Sequence, residues 1–247
     1  MAKVKEYEVK ATIAREAMLN DIRRALNGEE KSAVPDRRRD IRATGRSDER
    51  ATEIKNRCQQ KREELINEFE FELTRIRGVF HRAATAESAF QFVEEIISDK
   101  KAKTVVAFDT PLLDGVDMRK RVKQRGVGFV IESDSDFLRL AAAADIGLSG
   151  VDYALSETGT LVLVARKGQA RAISLLPPVH IAVFKAERLV SSLNDLLPLL
   201  RSDIETGDGE LASAITFITG PSRTADIELT LVVGVHGPQE LHVILVD

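Results

Sequence analysis

The sequence predicts an α/β fold: a mostly parallel sheet flanked by helices, preceded by an N-terminal helical extension. Two observations carry that expectation. From residue 103 onward, short apolar runs such as "KTVVAF" and "GFVIES" alternate with helical patterns such as "DFLRLAAAA", the alternation that a parallel sheet with crossover helices produces. Ahead of them, apolar residues recur three or four apart with Lys and Glu between, the stripe of an amphipathic helix. At 247 residues, with 43% hydrophobic and 30% charged positions, the chain has an ordinary globular composition. Its length suits one large α/β domain, or one domain with an appendage.

Taken in order, residues 12–27 place Ile13, Ala17, Met18, Ile22 and Leu26 at helical spacing, and Gly28 stands where a helix commonly stops. Residues 29–50 carry almost nothing apolar, and "DRRRDIRATGRSDER" over 36–50 mixes arginines with acids. Such a segment reads as a mobile or partner-ordered linker, because it cannot bury enough surface to offset its ordering entropy. A single long helix is expected over 51–80, its stripe formed by Ile54, Cys58, Leu65, Phe69, Leu73, Ile76 and Phe80. Cys58 on that stripe reads as a small core residue, not a reactive thiol. Thr85 is placed to cap the next helix, whose Phe90, Val93, Ile96 and Ile97 share one face. "KTVVAF" then reads as a buried strand, "DTPL" as a turn into a helix around 113–124, and "GFVIES" as a second strand. Asp109, Thr110 and Asp134 at the strand ends read as turn formers and helix caps. Over 144–164, strand-like pieces are separated by Gly147, Gly150 and Gly159.

Several function classes are disfavoured. The formal net charge of −3 offers no basic field for nucleic acid. No run approaches the roughly 18 apolar residues of a spanning helix, and "MAKVKEYEVK" lacks a signal-peptide core, so no membrane span and a cytoplasmic location are expected. One cysteine excludes an internal disulfide and any Cys-ligated iron–sulfur cluster within this chain. His81, His180, His236 and His242 show no metal-binding spacing, so no metal and no cofactor are expected. His180, opening "HIAVF", reads as a loop anchor, and His242, alternating within "LHVILV", as a sheet-face residue.

Three glycine-rich loops carry the candidate chemistry. In "SETGT", Gly159 suits a positive φ that would let backbone N–H groups converge into an anion-binding nest flanked by Thr158 and Thr160. Glu157 beside it is a candidate general base or nucleophile, or simply an acceptor for loop amides. In "GPSRTADIE", Ser222 or Thr224 suits a helix cap with Asp226 and Glu228 in the first turn, and Arg223 offers a planar fork for a carboxylate or phosphate. Arg223 could equally pair with Asp226 or Glu228, and "IELTLVV" fits a strand as well as a helix. In "GVHGP", His236 between Gly234 and Gly237 is placed to reach over a ligand and shuttle a proton near neutral pH.

The motifs "GVDYALSETGTLVLV", "SLLPPVHIAVFKAERLV" and "ITGPSRTADIELTLVVGVHGPQELHVILVD", in that order, closely resemble the LUD-domain family, in particular its lactate utilization branch. The resemblance runs from about residue 85 to the C-terminus. It implies the fold of glucosamine-6-phosphate deaminase, ribose-5-phosphate isomerase and CoA transferases. It divides the chain into an N-terminal extension over 1–84, with the arginine-rich linker at 29–50, and a LUD domain over 85–247. It also implies a non-redox subunit of a system oxidising L-lactate to pyruvate, working beside iron–sulfur partner proteins and binding a small anion among the glycine-rich loops. The site residues under that reading are Glu157 and His236 for chemistry, with Thr158, Gly159, Thr160, Ser222, Arg223, Thr224, Asp226 and Gly237 for the ligand. The alternative is a stand-alone isomerase or CoA-transferase-like enzyme using Glu157 on a phosphorylated or acyl substrate.

Overall fold

Near-continuous apolar runs are what strands buried on both faces look like in sequence, and these runs build the central sheet. The computed structural model describes residues 19–20, 46–108, 117–166, 170–206, 214–225 and 231–247. The expected helix at 12–27, the linker as far as residue 45, Asp109 and Thr110 lie outside those residues, apart from positions 19–20. Apart from Arg46, which opens the first helix, the elements below belong to the unit Ser47–Asp247. Six strands pair in the order β1 (Val79–Ala83), β12 (Glu240–Val246), β7 (Val179–Lys185), β4 (Ile146–Gly150), β2 (Thr104–Ala107) and β3 (Gly128–Val130), every neighbour parallel. β7 and β12 are buried along almost their whole length.

Helices cover both faces. On one, α3 (Ala86–Asp99) and α4 (Met118–Gln124) pack Phe90, Val93, Ile97 and Val122 onto Val105, Ile146, Ile181 and Ile244. On the other, α1 (Arg46–Gln60), α2 (Arg62–Arg75) and α7 (Leu193–Thr206) pack onto Ala182, Phe184, Val243 and Leu245. There α5 (Phe137–Ala142) and α6 (Ala172–Leu175) cover Val106 and Val130. Thr85 caps α3 as expected, in a capping box: its hydroxyl accepts from the Ser88 amide at 3.2 Å while the Ser88 hydroxyl accepts from the Thr85 amide at 3.0 Å. Asp134 is likewise a turn former, its carboxylate accepting from the Ile131 amide at 2.9 Å.

Two expectations need correction. The helix expected over 51–80 is two helices, and it ends at Arg75. The amides of Ile76, Arg77 and Gly78 bond back to Glu72, Thr74 and Leu73, with Arg77 at φ 68°, so the chain closes a C-terminal cap and turns into β1. Phe80 therefore reaches the apolar stripe from a strand, its ring 6.0 Å from that of Phe69. Ile76 and Phe80 are four apart, so periodicity ran through the stop that the Arg-Gly pair marks. α1 also begins at Arg46, so it runs through the last residues of the arginine-rich stretch.

The second correction concerns "TADIELTLVVG", where the described residues form an antiparallel hairpin. β10 (Arg223–Ala225) pairs with β11 (Leu231–Val233) in the register Arg223↔Val233 and Thr224↔Val232. β-Branched side chains suit a pleated surface better than a helix, and Arg223 does not stand at a helix N-terminus. A further sheet, β8 (Leu189–Val190), β5 (Tyr153–Leu155), β6 (Thr160–Ala165) and β9 (Ala214–Ile218), packs against α2 and α7. β6 runs antiparallel to both β5 and β9.

Candidate functional site

The first candidate loop joins β5 to β6. Ser156–Thr158 form one 3₁₀ turn, and Gly159 follows at φ 62°, the left-handed conformation expected from the sequence. The turn sits hard against α2: a Cβ on Gly159 would lie 2.6 Å from the Leu73 amide nitrogen and 2.8 Å from its Cα. Glycine is needed here for backbone approach as well as for φ. The turn's amides are engaged, Glu157 N–H with the Ser191 carbonyl at 3.2 Å and Gly159 N–H with the Ser156 carbonyl at 3.4 Å.

Glu157 is exposed, and its carboxylate accepts from the amide of Leu193 at 3.3 Å. Leu193 opens α7, so the carboxylate sits where free N–H groups and the positive helix end favour an anion. Thr158 donates to the Thr160 hydroxyl at 2.7 Å, and buried Thr160 lies 2.8 Å from the hydroxyl of Thr219. That contact joins the first loop to the second, because β6 and β9 pair with Leu161 opposite Ile218.

From Thr219 the chain passes through Gly220 and Pro221 into the hairpin. Ser222 organises this region: its amide donates to the Pro238 carbonyl at 2.8 Å, and its carbonyl accepts from Gly234 at 2.9 Å. Its hydroxyl accepts from the His236 amide at 3.3 Å. Gly237 lies against Ser222, since a Cβ there would meet the Ser222 Cβ at 3.3 Å. The structure thus brings Ser222, Arg223, Thr224, His236 and Gly237 into one loop cluster, with the Arg223 and His236 side chains exposed. Asp226 and Glu228, the carboxylates expected beside Arg223, lie outside the described residues. No hydrogen bond among the described residues joins Glu157 to His236 or Arg223. The two loops meet through Thr160 and Thr219 instead.

The remaining polar groups of the sheet are buried. His180 is fully buried, with Nε2 2.8 Å from the Ser149 hydroxyl and Nδ1 without a partner among the described residues. Burial pulls its pKa down to about 4, so it is neutral and lies inside the sheet core instead of anchoring a loop. His242 lies on a face of the sheet as expected, buried beside His81, their nitrogens 3.3 Å apart and their rings stacked. Burial lowers both pKa values, and mutual repulsion adds to the effect at His81. Burial pushes the Cys58 thiol up, as suits a core residue. Among the described residues no group of three or more His, Cys, Asp or Glu is arranged to hold a metal ion, and no helix is long and apolar enough to cross a membrane. No local pattern in the sequence signals the Ser149–His180 pair or Thr219, because each depends on strand register across non-adjacent segments.

A parallel sheet covered by helices on both faces, with glycine-rich loops at its margin, defines an α/β domain of the kind the motifs imply. The model of the LUD domain matches residues 66–246, and the chain belongs to that family. The match begins inside α2 and takes in β1. The chain is 34% identical over 158 residues to "Lactate utilization protein C" of Halalkalibacterium halodurans, covering 64% of this chain and 68% of that protein. It is 36% identical over 156 residues to the protein of the same name from Shouchella clausii, covering 63% and 67%. A solved structure of a DUF162 family protein from Deinococcus radiodurans aligns with TM-score 0.53 at 22% identity, over 75% of this chain and 98% of that one. That likeness bears on the fold.

Proposed function

We propose that this chain is a non-redox component of an L-lactate utilization system in the cytoplasm, binding a small organic anion and working with iron–sulfur partner proteins that carry the electrons. What carries the reading is the family membership together with the relatives named lactate utilization protein C, whose matched segments cover about two thirds of their own length. The cluster of Arg223, His236 and Ser222 supports the anion. The exposed Arg223 guanidinium provides a planar fork for a carboxylate, and the exposed His236 belongs to the same loop cluster through its amide bond to Ser222. With one cysteine in the chain, a cysteine-ligated cluster must come from a partner.

Glu157 has a structural contact that the binding reading accounts for: one carboxylate oxygen accepts a 3.3 Å hydrogen bond from the amide that opens α7. The test is affinity capture of the tagged full-length protein from lactate-grown cells of its source, with iron and acid-labile sulfide assayed on the eluate. Recovery of cysteine-rich, iron-bearing proteins in stoichiometric amount is expected. A clean single-component eluate, with turnover of a sugar phosphate or CoA ester that Glu157→Gln abolishes, would overturn the proposal.

A further inference from the structure

A cavity of about 450 Å³ lies away from both glycine-rich loops, between α1, α2, α7 and the β5–β8 edge of the second sheet. None of the described site residues named above lines it. Its size falls in the range of small-molecule sites, roughly 300–1,000 Å³, and a three-carbon acid would fill only a fraction of it. The floor is apolar, made by buried Tyr153, Leu189 and Val190, with Leu65 and Leu199 at the sides.

Charge on the walls is unevenly satisfied. Asp203 is committed, accepting from the Tyr153 hydroxyl at 2.7 Å and lying 3.9 Å from Arg188, whose guanidinium stands 5.4 Å over the Tyr153 ring. Arg62 is not. Its only described carboxylate, Asp247 at 3.6 Å, is held by Arg82 at 2.9 Å, and the buried Arg62 Nε has no acceptor among the described residues. Lys55 and Gln59, one helical turn apart on α1, line the same wall. Glu187, exposed, is the remaining carboxylate lining the cavity. The wall therefore offers an under-satisfied guanidinium at Arg62 and an exposed Lys55 beside an aromatic, apolar floor.

We infer that this cavity binds a small organic anion with a planar apolar body, the acidic group at Lys55 and Arg62 and the body on Tyr153, Leu189 and Val190. The site is separate from the anion cluster at Arg223, and the inference does not rest on the lactate reading. Cys58 lines the cavity and is the sole cysteine of the chain; buried and with its thiol pKa raised, it reacts slowly, and a molecule held in the cavity should slow it further.

The probe is 1-anilinonaphthalene-8-sulfonate, an aromatic monoanion, titrated by fluorescence into the full-length protein while N-ethylmaleimide modification of Cys58 is followed by mass spectrometry. At ten times its Kd the probe should slow Cys58 modification about tenfold by mass action. Lys55→Gln should weaken probe binding about 1.4- to fivefold, the range of an exposed ion pair. Arg62→Gln should weaken it about tenfold or more, as for a charge-assisted hydrogen bond. The uncharged dye Nile red should bind more weakly and protect less. Saturable probe binding that leaves Cys58 modification unchanged would place the probe elsewhere and overturn the assignment, as would unaltered affinity in Lys55→Gln, where an exposed side chain leaves the fold intact. Equal protection by Nile red would overturn the anionic class, and no probe binding would overturn the site.

Discussion

Replacing Gly159 by alanine tests whether the most motif-like loop of the chain is built by packing. Two costs add. An alanine at φ 62° carries the left-handed penalty, about 1–2 kcal/mol. Its Cβ would also stand 2.6 Å from the Leu73 nitrogen and 2.9 Å from the Glu72 carbonyl carbon. Those are backbone atoms of a helix whose Phe69 and Leu73 are fully buried, so α2 or the turn must move, an overpacking cost of about 1–3 kcal/mol. The sum is about 2–5 kcal/mol, or roughly 4–20 °C in Tm for a domain of this size. Gly126 supplies the control: it sits at φ 77°, and a Cβ added there would meet nothing within 4 Å, so Gly126→Ala should cost only the conformational part, about 1–2 kcal/mol. Urea unfolding of the two variants measures the difference. If Gly159→Ala is no worse than Gly126→Ala, the close approach of the turn to α2 is not what fixes the glycine, and the packing argument fails.

The remaining predictions concern pH, the cap and the arginine. His81, His180 and His242 all have folded pKa values below the ordinary histidine value, so the unfolded chain binds more protons as pH falls through about 6.5. Their stability contribution is full above that pH and is lost below it; His180, at about 4, alone accounts for about 3 kcal/mol between pH 6.5 and 4. A urea midpoint that stays level from pH 7.5 to 4.5 would refute this. Thr85→Ala removes the hydroxyl of the α3 capping box and should cost about 1 kcal/mol by the same unfolding assay. Arg223→Ala should weaken binding of lactate or pyruvate by about 1.5–3 kcal/mol in calorimetric titration, and a wild-type affinity would remove Arg223 from the proposed anion site.

Legibility in the sequence followed the range of the physics. The parallel sheet was readable because β2, β7 and β12 are apolar on both faces, and the α3 cap because Thr85 and Ser88 interact three residues apart. Helical periodicity over 51–80 was misleading where local backbone chemistry overrode it, at the Arg77–Gly78 stop, while nothing in the residues around Lys61 announces the break between α1 and α2. "IELTLVV" failed differently: leucines and β-branched residues suit both periods, and pairing of Leu231–Val233 with Arg223–Ala225 decided for the strand over its described residues. Nothing local to either stretch announces the Thr160–Thr219 contact, since it needs β6 and β9 to pair first.

That contact bears on how the two glycine-rich loops can act together. Residues of the first loop spend their polar groups on structure: Glu157 on the start of α7, Thr158 on Thr160, and Thr160 on Thr219. Residues of the second loop engage backbone groups with one another through Ser222 and leave the Arg223 and His236 side chains exposed. The Glu157 bond to α7 and the Thr158–Thr160–Thr219 hydroxyl contacts tie the first loop to α7 and to the entry of the second loop, and a rigid base would lower the entropy that an exposed arginine loses on gripping an anion. Under the proposed function the first loop would be a positioning element and the second the contact surface, so Glu157→Gln should spare anion affinity while Arg223→Ala should not.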